Sequence, residues 1–202
     1  YCRFSEEIVA RSNFADPVAA KANLARLADL SADVLARVSV VADPDTALHS
    51  LVAIMEAADR SALARRLADD SDLRERLLVV LGTSRALGEF WARHPEFIDD
   101  LARSQLSDQP RTEVEYRTWL SQADDPDELR VTYYRALAQI AARDLNAYTT
   151  FEQSSQELSD LAVATLGAAH QLAARQEADA ELVKLSVIAM GKTGGHELNY
   201  IS

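Results

Sequence analysis

The residues best suited to chemistry lie near the end of the sequence, where Gly191, Lys192, Thr193, Gly194 and Gly195 follow one another. Glycine lets a backbone turn sharply and approach a ligand closely. The N–H groups of such a turn can bind phosphate oxygens, and a lysine within it adds positive charge. The stretch therefore predicts a phosphate-binding turn. The simpler alternative is a glycine-rich turn that only links a strand to a short helix.

The Gly191-Lys-Thr sequence is not the end of a P-loop. That motif places a glycine five positions before the glycine of Gly-Lys-Thr, and Ser186 stands there. The residues from Leu185 to Met190 are instead a short apolar run with β-branched Val187 and Ile188. Such a run favours a buried strand. We therefore expect a strand that leads directly into the glycine turn.

The elements before this strand are predicted to be helices. The 202 residues are 48% hydrophobic with only 6 Gly and 5 Pro, which is typical of a helical protein. Helix starts are marked at Asp16-Pro17, Asp43-Pro44 and Asp125-Pro126, because Asp caps a helix and Pro suits its first turn. A long helix is predicted from about Asp127 to Tyr148. Thr149 or Thr150 then caps the last long helix, which ends near Arg175.

Composition excludes several classes of protein. A net charge of −11 argues against a nucleic-acid partner. The single cysteine, Cys2, excludes an intrachain disulfide and fits a reducing compartment, so we expect a cytoplasmic protein. No apolar run approaches the roughly 20 residues of a membrane span. The sequence begins at Tyr1 without methionine, which predicts that neither end is a natural terminus.

Four segments resemble one known family. The residues from Ala189 to Ser202 match the block Ala-Met-Gly-Lys-x-Gly-x-x-Glu-Leu-Asn-[Tyr/Phe]-x-Ser in the N-terminal half of the bifunctional glutamine synthetase adenylyltransferase/adenylyl-removing enzyme. Leu81–Gly88 with Arg93–Leu101, Arg135–Leu145 and Leu158–Ala162 are also similar to that family, although Gln139 stands where the family has arginine. The resemblance extends from about Leu77 to Ser202. The Glu-Leu-Asn-Tyr version indicates the N-terminal half, since the C-terminal half has Gly in place of Asn.

The resemblance implies a mainly α fold. A multi-helix array is followed by the first strand and glycine turn of a polymerase-β-like nucleotidyltransferase α/β domain. We divide the sequence into an N-terminal helical region over 1–125, long helices over 126–180 and the incomplete start of the nucleotidyltransferase core over 181–202. A strand without partner strands has an unpaired edge, so we expect 191–202 to lose its order without the rest of its domain.

The resemblance also implies an activity. The N-terminal half of this enzyme removes AMP from a tyrosine of glutamine synthetase by phosphorolysis and releases ADP, and the other half adds AMP from ATP. Mg²⁺ is the implied cofactor, and glutamine synthetase and a nitrogen-signalling protein of the PII type are the implied partners. The alternative function is a helical docking or regulatory module that binds glutamine synthetase or a PII-type protein.

The implied site residues are few. Gly191, Lys192, Gly194, Gly195 and Ser202 would bind nucleotide or phosphate, and Lys192 would do so only if it points inward rather than into solvent. The Asp-x-Asp pair that holds magnesium in the family would come directly after Ser202. We therefore expect no catalytic residue and no metal ligand within these 202 residues, and no activity from them alone.

Two family-like positions leave alternatives open. Arg143 or Asp144 either shapes the nucleotide or substrate site, or Arg143 pairs with a carboxylate such as Glu152 or Asp144 between two helices. His94 either contacts a partner or substrate, or hydrogen-bonds a backbone carbonyl at a helix junction. For His94 the structural alternative is favoured.

Overall fold

A computed structural model describes residues 2–11, 13–102, 106, 109–177 and 184–200, with the side chains of 2–5 and 11 left out. The chain forms two compact units, Tyr1–Ser107 and Asp108–Ser202. In chain order the helices are α1 Cys2–Arg11, α2 Pro17–Arg26, α3 Ala32–Val38, α4 Pro44–Ala57, α5 Arg60–Asp69, α6 Ser71–Leu81, α7 Arg85–Arg93, a 3₁₀ helix Pro95–Leu101, α8 Glu113–Leu120, α9 Pro126–Leu145, α10 Phe151–Gln176 and α11 Gly191–Gly194. The mainly α prediction is confirmed. The three-part division of the sequence stays a prediction.

The helix starts follow the predicted capping chemistry. The carboxylates of Asp16, Asp43 and Asp125 each accept from backbone N–H groups in the first turn of α2, α4 and α9, with proline inside that turn. Thr150 and Gln153 form a reciprocal capping box at the start of α10. These contacts satisfy amides that have no partner in a preceding turn, which fixes where each helix begins.

Helix α4 is the centre of the first unit. It contacts α2, α3, α5, α6 and α7, and its side chains on several faces are buried. The junction between α7 and the 3₁₀ helix holds a small aromatic group, in which the rings of Phe90 and Phe97 stack and His94 lies beside both. His94 Nδ1 lies 3.3 Å from the Glu96 carboxylate. A carboxylate therefore takes the place of the expected backbone carbonyl.

Two helical glycines should respond in opposite ways to alanine. A Cβ at Gly88 would lie 2.7 Å from Cβ of Ser50 on α4, whereas a Cβ at Gly167 in α10 would meet nothing within 4 Å. We expect Gly88→Ala to destabilise the first unit by about 1–3 kcal/mol through overpacking. Gly167→Ala should stabilise the second by about 0.5–1 kcal/mol, because alanine loses less backbone entropy in a helix.

Urea denaturation, with peptide-level hydrogen exchange to separate the two units, measures both changes. Each variant is the matched control for the other, because the chemical change is identical. Equal shifts in the same direction would contradict the packing argument at Gly88.

The second unit is built from α8, α9 and α10. Its core joins Tyr116 and Leu120 of α8 to Ile140 of α9 and Leu161 of α10, with Leu198 from beyond the glycine turn packed against it. The long helix α10 contacts α8, α9 and the short α11. The element that carries the glycine turn therefore belongs to the packing of this unit.

The expected strand before the glycine turn is not formed. Residues 184–190 have no secondary structure, and the structure describes no strand elsewhere among its assigned residues. The large apolar side chains Leu185, Val187, Ile188 and Met190 are between 61% and 83% exposed. A strand is defined by pairing with a neighbour. In the described part of the chain no second strand is present to pair with this run.

None of the described helices combines the length and apolar character needed to cross a bilayer.

Candidate functional site: a glycine turn docked on two helices

The glycine turn is a single tight helical turn. Gly191 begins it with φ of +62°, a left-handed conformation that favours glycine. The N–H of Gly195 donates to Gly191 O at 2.9 Å, and the N–H of Glu197 donates to Lys192 O at 2.8 Å. The first N–H groups of a helical turn have no partner in a preceding turn. The amides of Gly191, Lys192 and Thr193 are thus the donors that this turn can offer.

Gly194 is held in close contact with the backbone before the turn. A Cβ built on Gly194 would lie 2.5 Å from the carbonyl oxygen of Ala189 and 3.0 Å from its carbon. At Gly195 the nearest atom, Gly191 O, would lie at 3.4 Å, which is ordinary contact. Glycine is therefore required sterically at 194 and conformationally at 191, but not at 195.

The predicted phosphate-binding residues lie together on the surface. Gly191, Lys192, Gly194 and Gly195 are consecutive or nearly so in the turn, and all four are exposed. Ser202, the fifth predicted residue, lies outside the described residues. Phosphate binding by this set stays a prediction.

The segment that follows the turn is docked on α9 and α10. The amide of Leu198 donates to Ser159 Oγ at 3.3 Å, and the phenol of Tyr200 donates to Asp144 Oδ2 at 3.0 Å. His196 Nδ1 lies 2.8 Å from Gln156 Nε2. Tyr200 is 45% exposed, and its partial burial, together with the neighbouring Asp144 carboxylate, raises its pKa, so the phenol remains the proton donor. These contacts are made by residues that follow the exposed glycines in the sequence.

A buried network of charged side chains is formed by residues that lie close in sequence to Asp144 and Ser159. Arg143 and Glu157 pair at 2.5 Å with each side chain only 1% exposed. The same carboxylate accepts from the Tyr116 hydroxyl and from the Arg111 amide, both at 2.7 Å. Burial, and then the charge of Glu157, raise the pKa of Tyr116. Glu157 is thus a single acceptor shared by α8, α9 and the segment before α8.

This network corrects the expectation for Arg143. Its partner is Glu157, not Glu152 or Asp144. Asp144 faces a different group, accepting from Ser154 Oγ at 2.8 Å as well as from Tyr200. Glu157 was missed because one acidic residue in a helix that carries several gives no sequence signal of burial. Its position on the same helix face as Leu158 and Leu161 is the only feature of the sequence that indicates its burial.

The described residues do not provide a magnesium site. Magnesium is held mainly by carboxylate oxygens and water. No group of three His, Cys, Asp or Glu side chains among the described residues is arranged to hold a metal ion. We therefore assign no metal ligand to the described part of the chain.

Asp160, beside the docked segment, should make stability depend on pH. Its side chain is 13% exposed. Burial raises its pKa above the ordinary value of 3.8, against the opposing hydrogen bond from Gln156 and the nearby His196. Because burial disfavours the charged carboxylate, the folded state is most stable, relative to the unfolded state, below the unfolded pKa of Asp160. This advantage is lost as the pH rises through the folded pKa, where the buried side chain must ionise. We expect Asp160→Asn to be more stable than the parent at pH 7 and no more stable at pH 3.5.

Urea midpoints at the two pH values measure this difference. Asp124→Asn is the control, because the Asp124 side chain is 91% exposed and its loss should change stability little. A stability gain for Asp160→Asn that is equal at both pH values would show that packing, not charge, is responsible.

Comparisons with known proteins agree on one family. A family model described as glutamate-ammonia ligase adenylyltransferase matches residues 74–202. Proteins named bifunctional glutamine synthetase adenylyltransferase/adenylyl-removing enzyme are similar over most of the chain: 45% identical over 201 residues in Streptomyces coelicolor, 46% over 202 in Streptomyces avermitilis and 33% over 193 in Bifidobacterium longum. These alignments cover 95%, 95% and 85% of this chain but 20%, 20% and 18% of the relatives. The chain, which spans about a fifth of the length of these relatives, belongs to the glutamate-ammonia ligase adenylyltransferase family.

Proposed function

We propose that this chain supplies the helices and the phosphate-binding turn of an adenylyl-removing nucleotidyltransferase domain that acts on glutamine synthetase. The observation that carries the proposal is the family match over 74–202, which includes the glycine turn. The names of the relatives pair adenylyl transfer with adenylyl removal on glutamine synthetase. The Glu-Leu-Asn-Tyr sequence favours the adenylyl-removing half.

The exposed apolar run before the turn supports the nucleotidyltransferase assignment. Four large apolar side chains at 185–190 are exposed in an extended segment, as expected for a strand whose sheet is completed by further chain. In the complete domain we propose that this run becomes the first strand of the polymerase-β-like sheet. The metal-binding carboxylates would come from the residues that follow Ser202.

The proposed reaction is phosphorolysis. An oxygen of inorganic phosphate attacks the phosphorus of the tyrosine-linked AMP, and the bond from phosphorus to the tyrosine oxygen breaks. The products are ADP and the unmodified tyrosine side chain, whose oxygen takes up the proton that the phosphate loses. Charge neutralisation and in-line positioning account for most catalysis of such transfers. The amides of the glycine turn and the ammonium of Lys192 would bind phosphate oxygens. Magnesium, when bound in the complete domain, would supply further charge neutralisation.

The partners and the cellular location follow from the same proposal. Adenylylated glutamine synthetase is the substrate, a PII-type protein is the regulator, and ATP belongs to the opposite activity of the enzyme. All of these are cytoplasmic, in keeping with the single cysteine. The second candidate is a docking module, in which the helices alone bind glutamine synthetase or the PII-type protein.

Two versions of the protein test the proposal. This chain and the full-length enzyme are each given AMP-modified glutamine synthetase, phosphate and Mg²⁺, and ADP release is followed. ADP from the full-length enzyme alone is the expected result. No ADP from the folded full-length enzyme would contradict it. Capture of glutamine synthetase by this chain without nucleotide would then favour the docking module.

A further inference from the structure

We propose that Ser159 and Asp144 are positioning residues, which hold the Glu197–Tyr200 segment against α9 and α10 and so fix the glycine turn. The inference rests on the proposed function, and it gives α9 and α10 the role of positioning the phosphate-binding turn. If the glycine turn were joined only to flexible chain, it would have to become ordered in every catalytic cycle. Here the ordering contacts come from residues in the two longest helices of the unit.

The backbone amide of Leu198 is held by a buried serine of α10. Ser159 is fully buried, and its hydroxyl donates to Ser155 O at 2.9 Å while accepting from the Leu198 amide. The hydroxyl is therefore oriented by its own helix, which leaves its lone pair directed at the amide. The side chain of Leu198 packs on the core of α8, α9 and α10. This residue is thus fixed both through its backbone and through its side chain.

The hydroxyl of Tyr200 provides the second anchor. Asp144 lies at the end of α9 and accepts from Tyr200 through one oxygen and from Ser154 of α10 through the other. The carboxylate is held between two helices before it meets the tyrosine. Hydrogen bonds to a charged acceptor are stronger than those between neutral groups. A phenylalanine at 200 would keep the aromatic ring and lose this bond.

The anchors control the turn because few bonds separate them. The N–H of Glu197 donates to Lys192 O within the turn, and the next residue donates to Ser159. A shift at Leu198 is therefore transmitted to Lys192 across one residue and one hydrogen bond. Small displacements of groups that position the attacking phosphate against the transferred adenylyl group cost large factors in rate.

Amide exchange in this chain tests the docking without any assumption about activity. We expect the Leu198 amide to be protected in the parent and to exchange at least tenfold faster in Ser159→Ala. Gln171→Ala, on an exposed position of the same helix, is the matched control and should leave that rate unchanged. Equal exchange rates at Leu198 in the parent and in Ser159→Ala would overturn the docking.

Kinetics of the full-length enzyme test the positioning. We expect Ser159→Ala and Tyr200→Phe to lower kcat of ADP release roughly tenfold, with KM for adenylylated glutamine synthetase unchanged. Asp144→Ala combined with Tyr200→Phe should lose no more than the larger single change, because the two residues share one contact. Unchanged kcat in folded variants, or fully additive losses for that pair, would overturn the proposal. A parent enzyme that releases no ADP would contradict the proposed function instead, and exchange alone would then decide the docking.

Discussion

Replacing Glu157 by alanine will destabilise the second unit by about 3–5 kcal/mol, because it leaves the Arg143 guanidinium buried without a counter-charge. Both side chains are 1% exposed, so water cannot replace the lost carboxylate without opening the unit. Arg143 Nε and Nη1 already have no hydrogen-bond partner in the structure. The variant would also leave the Tyr116 hydroxyl and the Arg111 amide without their acceptor.

Denaturation in urea, with hydrogen exchange of peptides from α8 to α10, measures this loss. Glu152→Ala is the matched control, since Glu152 lies in the exposed first turn of the same helix and should cost less than about 1 kcal/mol. Glu157→Gln separates charge from hydrogen bonding, because glutamine keeps an oxygen acceptor. Equal costs for Glu157→Ala and Glu152→Ala would contradict the importance of the buried pair.

Replacing Gly194 by alanine will reduce ADP release by the full-length enzyme roughly 100-fold, because the new Cβ cannot fit beside the Ala189 carbonyl. The clash is with backbone, which cannot rotate away as a side chain can. The turn must therefore move away from the run that precedes it. Lys192 and the free amides of the turn move with it.

Gly195→Ala is the matched control, one position further along. Its Cβ would make ordinary contact with Gly191 O at 3.4 Å. Its amide already donates to that oxygen, so alanine keeps this bond and leaves the amides of Gly191, Lys192 and Thr193 in place, and the rate should stay within a few-fold of the parent. Both variants should unfold at the parental urea concentration, since the turn is exposed. Equal losses of rate at 194 and 195 would show that flexibility, and not the contact with Ala189, is what glycine provides.

The helices could be predicted well from the sequence. Asp-Pro pairs and the threonine before α10 mark helix starts by local chemistry, and the structure places caps at Asp16, Asp43, Asp125 and Thr150. These contacts span only two or three residues, so neighbouring sequence determines them. The family resemblance, estimated from about Leu77, is matched by the family model from residue 74.

The contacts of the site could not be predicted in the same way. The Ser159–Leu198 bond joins residues 39 apart and the Asp144–Tyr200 bond joins residues 56 apart, so no local pattern encodes them. The sequence predicts that residues 191–202 lose their order, because it shows a strand pattern without a partner strand and gives no sign of side-chain contacts. Side-chain contacts from α9 and α10 offer a different source of order. Hydrogen exchange at Leu198 decides between the two expectations.

The exposed apolar run before the turn should make this chain prone to self-association. Leu185-Ser-Val-Ile-Ala-Met190 is six residues long, uncharged and free of proline, with two β-branched residues at its centre. Short segments of this kind, when exposed and unpaired, associate edge to edge between molecules. Lys184 and Lys192 flank the run as charged gatekeepers, which oppose such association. Each chain also carries a net charge of −11, so self-association of the isolated chain should increase as salt screens the repulsion between molecules.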